Sequence, residues 1–160
     1  CPVSNSYFAN SVCPVRRLRG QGVRMGLATD ISGGFSPSMY ENMRHAIMVS
    51  RMLEEGVDAR VEPEARGAGE PSRITSAEAL WLATAGGGEA LHLPVGTFER
   101  GQAFDMQVVD TRVAGADLTG FNVFTAPRDI IDRIIYLATP ENVRQTWVQG
   151  ALVHDRSALR

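Results

Sequence analysis

Asp30 is the residue of this sequence whose type and position best suit chemistry. It follows an apolar run over residues 23–28, and two glycines, Gly33 and Gly34, come shortly after it. The C-terminal ends of parallel strands converge on the active site of an α/β barrel, so a carboxylate there can bind a metal ion or move a proton. The glycines would let the main chain pass close to a ligand. The same spacing also favours a purely structural role, in which Asp30 caps the next turn through its own backbone.

The histidines of the chain are isolated from one another in the sequence. His45, His92 and His154 form no HxH or HExxH motif, and there is no CxxC, so local motifs do not define a complete metal site. His45 lies four residues after Glu41, a spacing typical of a solvated pair on a helix. We expect His92 to be a packing or capping residue and His154 to lie on the surface.

Nucleophilic and phosphate-binding chemistry find little support. Ser36 and Ser38 have no neighbouring base and stand where a helix begins. The run Gly86-Gly87-Gly88 lacks a following lysine, so we expect close backbone packing at a helix break there. Cys1 and Cys13 are too few for a disulfide framework and favour a reduced, cytoplasmic protein, with a bridge between them left open.

Composition and charge indicate an ordinary globular domain. The 160-residue chain is 44% hydrophobic and 21% charged, and 16 basic against 18 acidic residues give a net charge of −2. This balance does not favour nucleic-acid or membrane-surface partners. No apolar run approaches the roughly 20 residues of a membrane helix, and the opening CPVSNSYFANS does not resemble a signal peptide. The sequence predicts a soluble protein, and its start at Cys-Pro rather than Met indicates a fragment.

Helices are expected to dominate the part of the chain around Asp30. A weak helix is predicted near residues 8–19, before the strand at 23–28. A stronger helix should begin with Ser36 as its N-cap and Pro37 at its first position, and Gly56 should end it.

A second group of helical signals follows an exposed loop. Residues 58–73 are rich in proline, glycine and charge, which is typical of such a loop. Thr75 and Glu78 have the spacing of a capping box at the start of the next helix. We expect that helix to reach about Ala85, where the three glycines interrupt it.

The pattern changes to short strands and turns after Pro94. Strands are predicted at 96–98 and 106–109, with a turn at 99–102 between them. We expect the segments 94–110 and 143–153 to contact each other. The remaining predicted elements are an irregular segment at 111–126, a helix opened by Pro127, a strand at 145–148, and a turn into 151–153.

Several segments resemble the C-terminal part of the guanine deaminases, which belong to the metal-dependent amidohydrolase superfamily. They are CPVSN (1–5), GLATDISGG (26–34), SPSM (36–39) and LATAGGGEALHL (82–93). The segment GTFERGQAFDMQVVD (96–110) is similar to the family's return to its small β-sandwich. YLATPENVRQTWVQGALV (136–153) resembles a closing strand that ends in a glycine turn. The resemblance spans nearly the whole chain.

The resemblance implies an α/β fold in two parts. Residues 1–93 would be the C-terminal segment of a (β/α)8 barrel, comprising the end of its seventh strand, the eighth strand and its helices. Residues 94–160 would be a β-sandwich segment with an inserted helix. By the same resemblance, Asp30 is the aspartate at the end of the eighth strand, and residues 1–5 follow the seventh.

The resemblance also implies a zinc-dependent hydrolase, with another divalent metal as an alternative. Asp30 would ligate the metal, contact the purine substrate, and accept a proton from the water that attacks C2 of guanine. Xanthine and ammonia would be the products. The histidine ligands and a catalytic glutamate would lie upstream of Cys1, so we expect the fragment alone to be inactive. The intact enzyme is expected to be a cytoplasmic homodimer.

Two alternatives stay open. One is a sibling amidohydrolase that acts on another ring, such as 8-oxoguanine, cytosine or a triazine, because the residues that read the purine edge would lie upstream. The other is a non-catalytic C-terminal fragment. An HxH motif in the sequence before Cys1 would favour the enzyme.

Overall fold

The computed structural model describes residues 1–123 and 125–156, which form two compact units. The first unit is Cys1–His92, and the second begins at Leu93. The first is built of helices around an extended segment, and the second of short antiparallel strands with one long helix. The predicted mixed α/β character is confirmed. No helix of the described residues is long and apolar enough to cross a bilayer.

One long central helix organises the first unit, whose residues are all described. Its six helices are α1 (Pro2–Ala9), α2 (Val15–Gly20), α3 (Met39–Glu55), α4 (Pro63–Arg66), α5 (Ser76–Ala83) and α6 (Ala85–Leu91). Helix α3 packs against α1, α4 and α5. Its buried Met43 and Ile47, together with Leu82 of α5 and Val3 of α1, supply much of the apolar core.

The single weak helix predicted near residues 8–19 is wrong. The chain forms α1 and α2 instead, with a break between them. Asn10 ends α1 in the left-handed conformation (φ 47°), which asparagine tolerates better than most residues. Pro14 precedes α2 and has no N–H to continue a helix from α1.

Helix α3 begins two residues later than the sequence analysis predicted. Ser38, not Ser36, is the N-cap, and its hydroxyl accepts a hydrogen bond from the Glu41 amide at 3.3 Å. The Ser36 hydroxyl accepts from the Ser38 amide, and Pro37 lies before the helix. The capping pattern S-x-x-E from Ser38 to Glu41 was the stronger signal. The predicted end of the helix at Gly56 is confirmed.

The capping box of α5 is confirmed, but the predicted break at the glycines is wrong. The Thr75 hydroxyl accepts from the Glu78 amide, and the Glu78 carboxylate accepts from the Thr75 amide at 2.7 Å. The break between α5 and α6 lies at Thr84, whose φ of −129° is not helical. Residues 86–88 lie inside α6.

The extended segment 23–30 lies directly on α5 and α6. The Leu27 amide donates to the Leu82 carbonyl at 2.9 Å. A Cβ added at Gly26 would lie 2.7 Å from the Gly87 Cα, and one at Gly86 would lie 2.8 Å from the Met25 carbonyl oxygen. The predicted close backbone packing at the glycines is therefore confirmed.

We expect Gly26→Ala to destabilise the first unit by about 1–3 kcal/mol, the usual cost of overpacking. The added methyl would meet the Gly87 main chain, which cannot rotate away as a side chain can. Gly20→Ala is the matched control, because a Cβ there has no heavy atom within 4 Å. Urea unfolding of the two variants measures the difference. Equal midpoints for Gly26→Ala and Gly20→Ala would contradict the close contact.

The second unit contains two small antiparallel sheets in its described part. Strands β1 (Met106–Val109), β4 (Val143–Val148) and β5 (Ala151–Asp155) form one sheet in the order β1-β4-β5. A separate hairpin pairs β2 (Arg112–Val113) with β3 (Ala116–Asp117). Helix α7 (Pro127–Leu137) lies between β3 and β4 in the chain.

Most predictions for the second unit are confirmed. The strand at 106–109, the helix opened by Pro127 and the final hairpin all form, and the pairing of β1 with β4 brings segments 94–110 and 143–153 together. The turn at 99–102 is closed by the Gln102 amide.

Two predictions for the second unit are wrong. The strand at 96–98 does not form, because Gly96 has a φ of 94° and Phe98 is 74% exposed. The segment 111–126 is also less irregular than predicted, since it contains the β2–β3 hairpin and a 3₁₀ helix, Gly120–Asn122.

Candidate functional site

The segment 23–30 is extended, but the prediction of a paired strand at 23–28 is wrong for the described residues. Its amides bond to helices instead, with Val23 donating to Leu18 and Leu27 to Leu82. A parallel strand needs a neighbour that arrives through a crossover connection. The described residues supply no such neighbour, and only an isolated bridge joins Ile31 and Gly34.

Asp30 ends this extended segment in a tight loop. Its backbone is left-handed, with a φ of 48°, and its side chain is exposed. The Gly34 amide donates to the Asp30 main-chain carbonyl and closes the turn. A Cβ at Gly33 would lie 2.6 Å from Asp30 Oδ2. Gly33 and Gly34 thus leave space for the atoms of the Asp30 loop itself.

The Asp30 carboxylate is exposed. Within residues 1–123 and 125–156, it enters no side-chain hydrogen bond and no ion pair. The predicted alternative, in which Asp30 caps the turn through its own backbone, is confirmed by the bond from the Gly34 amide to the Asp30 main-chain carbonyl, and the carboxylate takes no part in that bond.

The described residues do not complete a metal site. No group of three or more His, Cys, Asp or Glu side chains among them is arranged to hold a metal ion. Zinc sites in proteins use three or four protein ligands. Asp30 could supply one carboxylate ligand of such a site. The described residues do not bring further ligands together with it.

The structure places the three histidines in separate environments. His92 is the C-cap of α6 in the left-handed conformation, so its capping role is confirmed, and its exposed ring lies 3.2 Å from Arg24 Nη1. His154 is exposed on β5, as predicted.

The predicted solvated pair of His45 with Glu41 is confirmed only in part, because Glu41 acts on the ring through its charge and not through a hydrogen bond. The ring is half-buried, and its Nε2 lies 3.0 Å from the Ser6 hydroxyl. Burial lowers the pKa of His45, and the nearby negative charge of Glu41 opposes this in part.

A small apolar cleft of about 80 Å³ lies beside the extended segment, and the sequence analysis missed it. Met25 and Leu27 line it from the segment, Ala46 and Val49 from α3, and Leu82 from α5. Met25 and Leu27 stand two positions apart, and this alternation could have predicted that the segment buries an apolar face. Cys1 and Cys13 also line the cleft, and both thiols are free.

Comparison with known proteins identifies the family to which this chain belongs. Residues 1–153 match the amidohydrolase family. The match spans nearly the whole chain, and the chain is a member of that family.

The similarities within the family point to the guanine deaminases and confirm the resemblance. A probable guanine deaminase of Schizosaccharomyces pombe is 34% identical over 157 residues, which cover 96% of this chain and 28% of that protein. The crystal structure of a guanine deaminase from C. acetobutylicum with bound guanine has a TM-score of 0.76 at 25% identity, covering 96% of this chain and 33% of that one.

A more distant neighbour shares the fold. It is an adenosine deaminase from Xanthomonas campestris with bound zinc, with a TM-score of 0.71 at 22% identity, covering 99% of this chain and 34% of that one. The chain therefore spans between 28% and 34% of the length of these three proteins.

Proposed function

We propose that this chain is the C-terminal part of a metal-dependent amidohydrolase that converts guanine and water into xanthine and ammonia. The proposal depends above all on one observation. An exposed carboxylate, Asp30, ends an extended segment and has no partner among the described residues. Membership of the amidohydrolase family and the similarity to guanine deaminases support the reaction and its substrate.

The proposed architecture assigns the extended segment 23–30 to the eighth strand of a (β/α)8 barrel. Two features support this assignment: the segment is covered on one side by α5 and α6, and it pairs with no strand of the described residues. Residues 1–5 would follow the seventh strand. Residues 94–160 would belong to a β-sandwich with α7 inserted, and the antiparallel β1-β4-β5 sheet supports this.

In this arrangement Asp30 has three tasks. Its carboxylate would ligate zinc, or another divalent cation, contact the purine, and accept the proton of the attacking water. It would then return that proton toward the departing amino group. The exposed left-handed loop leaves both carboxylate oxygens free of protein donors, which supports such use. The other ligands and a glutamate would come from the part of the barrel before Cys1.

The alternative is an amidohydrolase of another ring, such as 8-oxoguanine, cytosine or a triazine, which would use Asp30 in the same way. The proposed enzyme acts on a small molecule in the cytoplasm as a homodimer. The nearly balanced charge gives no support to nucleic-acid or membrane partners.

The test uses the intact protein, meaning this chain preceded by the rest of its barrel. We expect the zinc-loaded protein to form xanthine from guanine with a kcat/KM at least about tenfold above that for cytosine, 8-oxoguanine or a triazine, because the site should hydrogen-bond guanine's own edge. A higher kcat/KM for one of the other rings would refute guanine as the substrate and keep the reaction class. Absence of deamination of any of the four would refute the reaction.

A further inference from the structure

His45 connects two helices that are distant in the sequence. It lies on α3, and its ring Nε2 is 3.0 Å from the hydroxyl of Ser6 on α1, 39 residues earlier. The two helices pack against each other. The contact is not one of solvated surface groups, because the His45 ring is half-buried.

The direction of this hydrogen bond follows from the protons available. The Ser6 hydroxyl carries one proton, and it donates to the Pro2 carbonyl at 3.0 Å. Both contacts of Ser6 are hydrogen bonds at the same time only when the His45 ring donates to Ser6, which requires the Nε2–H tautomer when the ring is neutral. Protonation would add a proton at Nδ1 and leave the Nε2–H donor in place.

In the proposed architecture, the bond joins the segment that follows the seventh strand to the helix that follows the Asp30 loop. Helix α1 begins directly after Cys1, and its first residues Pro2, Val3 and Ser4 are buried. Helix α3 follows the Asp30 loop after eight intervening residues, 31–38. A shift of α1 along α3 would thus move residues 1–5 relative to Asp30.

We propose that His45 is a positioning residue, whose hydrogen bond to Ser6 holds residues 1–5 in register with the Asp30 loop and so tunes substrate binding. This inference rests on the proposed function, because it needs both segments to border the substrate. His45 acts through Ser6 and α1. Its removal should therefore weaken binding more than chemistry.

The test compares four variants of the intact protein. His45→Phe removes the donor and keeps a ring, His45→Gln keeps an N–H donor near the Nε2 position, and Ser6→Ala removes the acceptor. His154→Phe is the matched control, because that histidine is exposed in the second unit.

We expect His45→Phe and Ser6→Ala to raise KM for guanine about tenfold, with kcat changed less than about threefold, since small misplacements of substrate-holding segments have effects of this size or larger. His45→Gln and His154→Phe should keep KM within about twofold of the wild-type value. The change should be the same across the neutral pH range, because both protonation states of His45 donate from Nε2. A wild-type KM for His45→Phe, or a Gln variant as impaired as the Phe variant, would overturn the proposal.

A second measurement does not depend on activity. In the wild-type protein, nitrogen NMR of the His45 ring should show a protonated Nε2, and Ser6→Ala should shift that signal. Amide exchange in α1 should be faster in His45→Phe than in His45→Gln. A ring protonated at Nδ1 alone, or equal exchange in the two variants, would overturn the inference. Failure of the wild-type protein to act on guanine would overturn the proposed function, and the positioning role with it, while the ring spectrum and exchange would still decide whether His45 holds α1.

Discussion

Asp30→Asn in the intact protein should lower kcat for guanine by about 10²–10⁴-fold, the usual effect of removing a general base. Asparagine keeps the shape of aspartate but cannot take a proton at this position. The fold should be unaffected, because the carboxylate is exposed and has no hydrogen bond or ion pair with the described residues to lose. Asparagine also tolerates the left-handed backbone that Asp30 adopts. Steady-state kinetics with a thermal melt measure both effects.

The control for this experiment is another aspartate of the first unit. Asp58 lies in the loop after α3 and pairs with Arg60 at 2.8 Å. Asp58→Asn removes a carboxylate of the same size and charge, and it should leave kcat unchanged. If Asp30→Asn retained near-normal kcat, Asp30 would be only a turn residue, and the proposed metal and proton-transfer roles would be refuted together.

Features that depend on residues close in the sequence could be predicted. The capping box between Thr75 and Glu78 forms because both hydrogen bonds lie within one helical turn. Gly56 ends α3, and Gln149 and Gly150 turn β4 into β5, for equally local reasons, since each of the three has a positive φ. Glycine is the residue that takes such a conformation at least cost.

Features that depend on distant partners could not be predicted. The run at 23–28 has the composition of a buried strand, but pairing requires neighbouring strands, and the described residues offer none. The contact of His45 with Ser6 joins two separate helices, which the helical spacing of His45 to Glu41 does not reveal. The three glycines of α6 suggest a helix break in the sequence. In the structure Trp81 packs against Gly86 and Gly26 packs against Gly87, contacts that the sequence does not show.

The position of Asp30 after an apolar run could be recognised from the sequence, but the exposure of its carboxylate could not be predicted. The sequence left the capping role and the ligand role equally open. The structure confirms the capping role, because the main-chain carbonyl of Asp30 closes the turn, and it leaves the ligand role open, because the carboxylate stays exposed. A single exposed carboxylate does not make a metal site, and this determines what the chain can do by itself.

The 160-residue chain alone should bind no zinc tightly and deaminate no guanine. Tight binding requires three or four ligands, and no group of three or more His, Cys, Asp or Glu side chains in the described part of the chain could hold a metal ion. Metal analysis after dialysis and an assay for xanthine formation test this, with the intact protein as the positive control. We expect zinc in the intact protein and background levels in the chain alone. Turnover by the isolated chain at a rate near that of the intact protein would show that these residues suffice, and would refute the assignment of the remaining ligands to the part before Cys1.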